Sequence, residues 1–159
     1  MKIVLFACSQ QVIVDVSTNS MSLINVMEDQ ISEGFPMLIP QTCAVAVARR
    51  EGGDPELVEA RLQGYLDEQL ILDAPLSFNL SGSGGARSIA QLQQLVIPHP
   101  ATLRFVLRAD NKKLGSWETR IDGKPQVEAR PRYVVNAAAP PKKGAQKRSP
   151  SAAKPKATT

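Results

Sequence analysis

One histidine, His99, two cysteines, Cys8 and Cys43, and 4% aromatic residues leave this chain of 159 residues short of groups on which catalysis and metal binding commonly depend. A single imidazole and two cysteines, neither in a C-x-x-C nor a Cys/His spacing, do not make a typical structural zinc site. Cys8 and Cys43 sit inside apolar runs and are expected to be small buried hydrophobes rather than disulfide partners. A nucleophilic serine at Ser9, Ser81 or Ser83 needs a base held by a third group. Only His99 is offered, wedged between Pro98 and Pro100, and it reads as a turn residue. No G-x-S-x-G elbow is present. The glycine-rich Ser81-Gly82-Ser83-Gly84-Gly85 is followed by Ala86-Arg87-Ser88, not by the Lys and Ser or Thr of a P-loop, so a strand-to-strand loop is expected there.

Long apolar runs are missing as well. None approaches the roughly 18 residues of a membrane helix. The opening MKIVLFAC loosely mimics a lipoprotein cleavage box, but Ile3 to Ala7 is shorter than a signal-peptide core of about 7 to 15 residues. The expectation is a buried strand in a soluble, cytoplasmic protein. The adjacent carboxylates Glu28-Asp29 and Asp67-Glu68 diverge on a strand or turn and are expected to be solvated rather than a glycosidase-like pair. Trp117 and Tyr65 offer a sugar-stacking platform on a sandwich face, but aromatics are only 4% of the chain and core or hairpin packing is the preferred role.

Alternation is what the sequence has in quantity. Leu103, Phe105 and Leu107 alternate with Arg104, Val106 and Arg108, the period of two that sends successive side chains to opposite faces of a sheet. Asp110, Asn111 and Lys112 then reverse the chain, and a second strand runs from Leu114 to Ile121. Two strands alone are marginal in water, so the preceding chain must supply sheet partners. Ile3 to Cys8 reads as a central strand covered on both faces. Val12 to Val16 and Met21 to Met27 form a hairpin across Ser17-Thr18-Asn19-Ser20. Gly34 to Pro40, bracketed by prolines, is expected to cross the end of a sheet. Cys43, Val45 and Val47 alternate with Ala44, Ala46 and Ala48, whose small face implies close approach of another layer.

Residues 54–72 fit two templates: an amphipathic helix capped by Asp54 with Pro55 in its first turn, or two strands. Gly64 costs a helix about 1 kcal/mol relative to Ala, and strands are preferred. Leu76, Phe78 and Leu80 mark another half-buried strand, and Ser88 to Val96 an extended strand or short turn. Eight or nine such segments describe an all-β antiparallel sandwich over residues 1–123.

The formal charge of +4 hides a division. Residues 1–123 carry 10 Lys and Arg against 14 Asp and Glu, whereas residues 124–159 carry 9 against 1. An acidic body argues against a broad nucleic-acid face on the folded part. Residues 124–159, rich in Ala, Pro and Lys, are too poor in apolar side chains to offset ordering entropy and are expected to form a disordered basic tail. Arg130-Pro131-Arg132-Tyr133-Val134-Val135 is its apolar punctuation. Lys142, Lys143, Lys147, Arg148, Lys154 and Lys156 are the candidate polyanion contacts, set against the preferred reading of a solubilising or tethering tail. Prolines at 140, 141, 150 and 155 disfavour an amphipathic helix and hence insertion into a bilayer.

The order Val12 to Asp15, Asn19, Ser22-Leu23-Ile24-Asn25-Val26, Glu28, Phe35-Pro36, Ile39-Pro40, Ile97-Pro98, Phe105 and Leu114-Gly115 resembles a family of small bacterial proteins, a domain-of-unknown-function family of all-β sandwiches. The resemblance covers roughly residues 2–121. It implies the fold and favours strands over 56–72, and it brings no activity, cofactor or catalytic residue. The leading expectation is a non-enzymatic binding or scaffold module without a cofactor, working with a protein partner, as a homo-oligomer or as a subunit of a larger assembly. Polyanion contact through the tail, with nucleic acid as the partner, and an enzyme are the alternatives.

Overall fold

The computed structural model describes residues 1–82 and 84–124. Nine strands follow in order: β1 (Lys2–Val14), β2 (Met21–Val26), β3 (Gln30–Ser32), β4 (Met37–Arg49), β5 (Leu57–Leu66), β6 (Gln69–Asn79), β7 (Gly85–Ile97), β8 (Ala101–Ala109) and β9 (Lys112–Gly123). They make a four-stranded sheet, β2-β1-β4-β7, and a five-stranded sheet, β3-β9-β8-β5-β6. Pairing is antiparallel except where the three-residue β3 lies parallel to the end of β9. The expected all-β sandwich is therefore the fold, with one short parallel edge added. The tail from residue 125 on, including Arg130 to Val135, lies outside the described residues.

The β8–β9 hairpin closes through Asp110 (φ 47°) and Asn111 (φ 63°). Two consecutive left-handed residues match the twist of the flanking strands in a two-residue turn. Leu103, Phe105 and Leu107 are fully buried against residues of the opposite sheet, among them Cys8 and Ala44 for the first two and Ala46 and Ala48 for Leu107. The alanine face of β4 thus does admit a second layer. Two glycines allow further close approach. A Cβ on Gly115 would lie 3.3 Å from the Cβ of Phe6, which crosses from β1, and one on Gly64 would lie 3.2 Å from the Phe105 ring.

Several local expectations change. Ile3–Cys8 and Val12–Val14 belong to one 13-residue strand, which β4 pairs along its first part and β2 along its second. Among the described residues no third layer covers its outer face, and Val4 and Leu5 are 46% and 37% exposed rather than covered. Residues 37–40 do not cross a sheet end but begin β4, with Met37, Leu38 and Ile39 paired to Ile97, Val96 and Leu95. Pro40 is tolerated because β1 pairs with β4 only from Cys43 to Arg49, leaving that side of Pro40 without a ladder to interrupt. Residues 57–66 and 69–79 are strands, the preferred of the two readings, and residues 88–96 fall within β7.

The inward side switches parity at Pro40 and at Gln94, which has a φ of 56°. Odd positions Met37, Ile39, Leu95 and Ile97 reach the core on one side of this point, and even positions Ala44, Ala90 and Leu92 on the other. A left-handed residue re-aims the chain in this way, and it shortens the regular part of β7.

Candidate functional site

Among the described residues, the groups singled out in the sequence are not brought together. Ser81 precedes β7 and His99 follows it, so about 40 Å of extended strand separates them. The His99 ring is exposed, with Nδ1 3.0 Å from the carbonyl oxygen of its neighbour Pro100, as a turn residue. Ser9 is fully buried and donates to the Gln11 carbonyl at 3.1 Å. It shares a cross-strand row with Cys43 and Gln91, eight residues along β7 from His99, roughly 25 Å. Ser83 lies outside the described residues. In the glycine-rich loop, Ser81 donates its amide and hydroxyl to Asn79 Oδ1, and the Gly84 carbonyl accepts the Arg50 amide at 2.7 Å. At Gly84 the loop thus offers an acceptor to its own chain.

Cys8 and Cys43 are both free and fully buried. Burial pushes the Cys8 thiol up to about 12, so the thiolate that nucleophilic or metal chemistry needs is disfavoured there. Among the described residues no group of three or more His, Cys, Asp or Glu could hold a metal ion. Asp67 caps a turn by accepting the Thr102 amide at 2.9 Å, and Glu68 meets Arg104 at 3.6 Å. Asp29 lies against Arg120, and Glu28 is exposed. Trp117 and Tyr65 occupy opposite faces of the five-stranded sheet. Trp117 packs on the core and donates Nε1–H to the Met27 carbonyl at 2.7 Å, whereas Tyr65 donates to Gln63 at 3.0 Å and carries Arg104 over its ring. They form no shared platform. The six tail cations Lys142, Lys143, Lys147, Arg148, Lys154 and Lys156 lie outside the described residues.

Two surface features were not visible in the sequence. The first is an open groove of about 650 Å³ over β5, β6 and the β8–β9 turn, lined by Glu59, Arg61, Gln63, Ser77, Arg108 and Asp110 among others. Arg61 and Arg108 stand directly opposite each other on adjacent strands, a like-charge arrangement that is unfavourable unless compensated. Compensation is at hand. Asp73 accepts from Arg61 Nε at 2.8 Å, and this hydrogen bond holds the Asp73 carboxyl below its ordinary range. Glu59 and Asp110 outnumber the remaining Arg108, so the groove carries no positive field to select an anion.

The second feature is an edge. Among the described residues each sheet has two outermost strands, and an unpaired edge invites another chain unless it is guarded. Strand β2 has six residues, with Asn25 left-handed at φ 52°, and β3 has three. Strand β6 carries Asp73 and Pro75. Strand β7 is different: 13 residues long and free of proline, it holds one charge, Arg87, which donates to Asn19 of the β1–β2 turn. From Ser88 to Ile97 it has no charge at all. Gln91 and Gln93 are exposed along it.

No helix among the described residues is long and apolar enough to cross a membrane. No protein-family model matches the chain, and no curated protein matches it. A solved structure described as "putative beta-galactosidase from bacteroides fragilis" is similar at a TM-score of 0.38 and 20% identity, over 52% of this chain and 14% of that one. At that level the likeness informs neither fold nor activity.

Proposed function

We propose that the protein is a non-enzymatic binding or scaffold module that accepts an extended segment of another chain beside β7, as a fifth strand of its four-stranded sheet. The observation that carries this reading is the unguarded edge of β7 in a sandwich whose other edges are short, charged or interrupted by proline. In strand addition, main-chain hydrogen bonds supply affinity and alternate side chains supply selectivity. Neutral glutamines that protrude from the edge permit such pairing, where lysines would oppose it. The distance between Ser81 and His99 supports the non-enzymatic part.

The family resemblance has a structural rationale that fits this reading. Asn19 occupies a left-handed turn position, Gly115 makes room for Phe6, and Phe35 packs on the core. These motif residues build the sandwich rather than a catalytic centre. Two free thiols suit the reducing conditions of a cytoplasm. Polyanion contact through the six tail cations rests on the charge of residues 124–159 and is compatible with a module that docks elsewhere.

The test is a photo-crosslinking amino acid at Gln91 in the full chain, expressed in its native cells, with the same group at exposed Ser77 of β6 as control. Adducts at position 91 that exceed those at 77 are expected. Equal or absent adducts at the two positions would remove the edge as a binding site.

A further inference from the structure

We propose that the chain taken up along β7 is a second copy of this protein, in an antiparallel two-fold pairing centred on Ile89; this rests on the reading of β7 as a strand-accepting edge.

The register follows from the backbone. Gly84 (φ 74°) and Gln94 (φ 56°) are both left-handed, so the regular stretch between them runs from Gly85 to Gln93. Residues directly opposite one another in an antiparallel pair point to the same face. A two-fold axis relating two copies of one strand must therefore pass through a residue position, because a centre between two residues would oppose side chains of different faces. Maximum overlap of the stretch with itself puts that position at its midpoint, Ile89. Gly85 then lies opposite Gln93 of the second copy, Arg87 opposite Gln91, and Ser88 opposite Ala90.

The charge pattern permits this register. Arg87 is the sole charged residue of β7, and the symmetry sends the two copies of it to opposite ends of the paired stretch. Each meets a neutral glutamine. A centre at Arg87 itself would oppose the two guanidiniums and is disfavoured. The pairing is also closed: it joins two four-stranded sheets into one of eight, β2-β1-β4-β7 continued by the same order reversed, and both β7 edges are consumed. Any other strand must compete with a copy that is present at the protein's own concentration and that the edge does nothing to repel.

Three variants of the full chain and one control, Gln93→Cys, test this, the charge changes by sedimentation velocity across micromolar concentrations. Gln91→Glu places a carboxylate opposite Arg87 of the second copy twice per dimer, and Gln91→Lys places an ammonium there. Two cross-strand charge pairs shift the dimer constant by roughly 2- to 30-fold, tighter for Q91E and weaker for Q91K. Damage to the fold would not produce opposite signs at one exposed site. Ile89→Cys, opposite itself at the axis, should oxidise to a disulfide-linked dimer, since directly opposed strand positions lie within disulfide reach; Gln93→Cys, opposite Gly85, should not. A monomer at every concentration, or a dimer indifferent to all three changes, overturns the two-fold pairing. If Gln91 still crosslinks in cells above the Ser77 control, the edge stands as a binding site with another chain as its occupant. If that excess is missing too, the edge reading falls with it.

Discussion

Phe105→Ala is the sharpest probe of what holds the sandwich together. The ring is fully buried in the middle of β8, with β9 on one side and β5 on the other. Its cross-strand neighbours are Trp117 and Gly64. Deleting a buried Phe side chain costs about 3 to 5 kcal/mol, the larger values arising where the surroundings do not collapse into the space. Collapse is hindered here, because both flanking strands are held in register and Gly64 has no side chain to swing inward. A loss of about 4 to 5 kcal/mol is expected, a large share of the roughly 5 to 15 kcal/mol that stabilises an ordinary domain. Urea titration followed by circular dichroism measures it. The same contact predicts a coupling. Gly64→Ala alone brings a Cβ to 3.2 Å from the Phe105 ring and 3.1 Å from the Leu72 Cβ. With Phe105 already Ala, the first clash is gone and the new methyl fills part of the void. The double variant should therefore be more stable than the two single losses summed, by about 0.5 to 3 kcal/mol. A Phe105→Ala loss under about 1 kcal/mol, or strict additivity, would refute this account of the core.

Asp15 accepts the amides of Ser17 and Thr18 and the Ser17 hydroxyl, and these hydrogen bonds, the Ser17 hydroxyl foremost, hold its carboxyl at about 2. Because the folded value is depressed, its stabilising contribution is present above the ordinary 3.8 and is lost as pH falls toward about 2; a carboxyl carbon titration by NMR with a midpoint near 4 would contradict the turn. Cys8, with its thiol pushed up to about 12 by burial, should resist iodoacetamide at mildly alkaline pH until the chain unfolds, and labelling of the native protein at Cys8 would show the core to be open. If the tail contacts polyanions, duplex DNA should bind the full chain more strongly than a chain with Lys142, Lys143, Lys147, Arg148, Lys154 and Lys156 changed to Gln, and that binding should fall by orders of magnitude between about 50 and 200 mM salt, whereas no binding by either protein makes the tail a solubilising or tethering extension. Equal binding by both proteins would exclude those cations as the contact.

Local chemistry was sufficient wherever near neighbours decide the outcome. The Leu103–Leu107 alternation, the Asp110-Asn111 turn, the prolines that separate β7 from β8 and the burial of both cysteines all follow from residues a few positions apart. The strands at 57–66 and 69–79 were half legible. Both periods fit them, and what holds them as strands is pairing, β5 with β6 along its whole length and with β8 on its other side. Nothing local announces that residues 3–14 form a single strand whose partner changes midway, or that Pro40 lies inside β4 where β1 has departed. Outward-side Val106, among Arg104, Arg108, Gln63 and Ser116, is only 5% exposed because long side chains of adjoining strands crowd it. The edge of β7 was hidden for the same reason. Its uncharged stretch was plain in the sequence, but an uncharged strand is ordinary at the centre of a sheet and an invitation only at its rim. Which place it takes is set by the non-local order β2-β1-β4-β7, and that order is decided by how two distant faces pack, not by any run of residues.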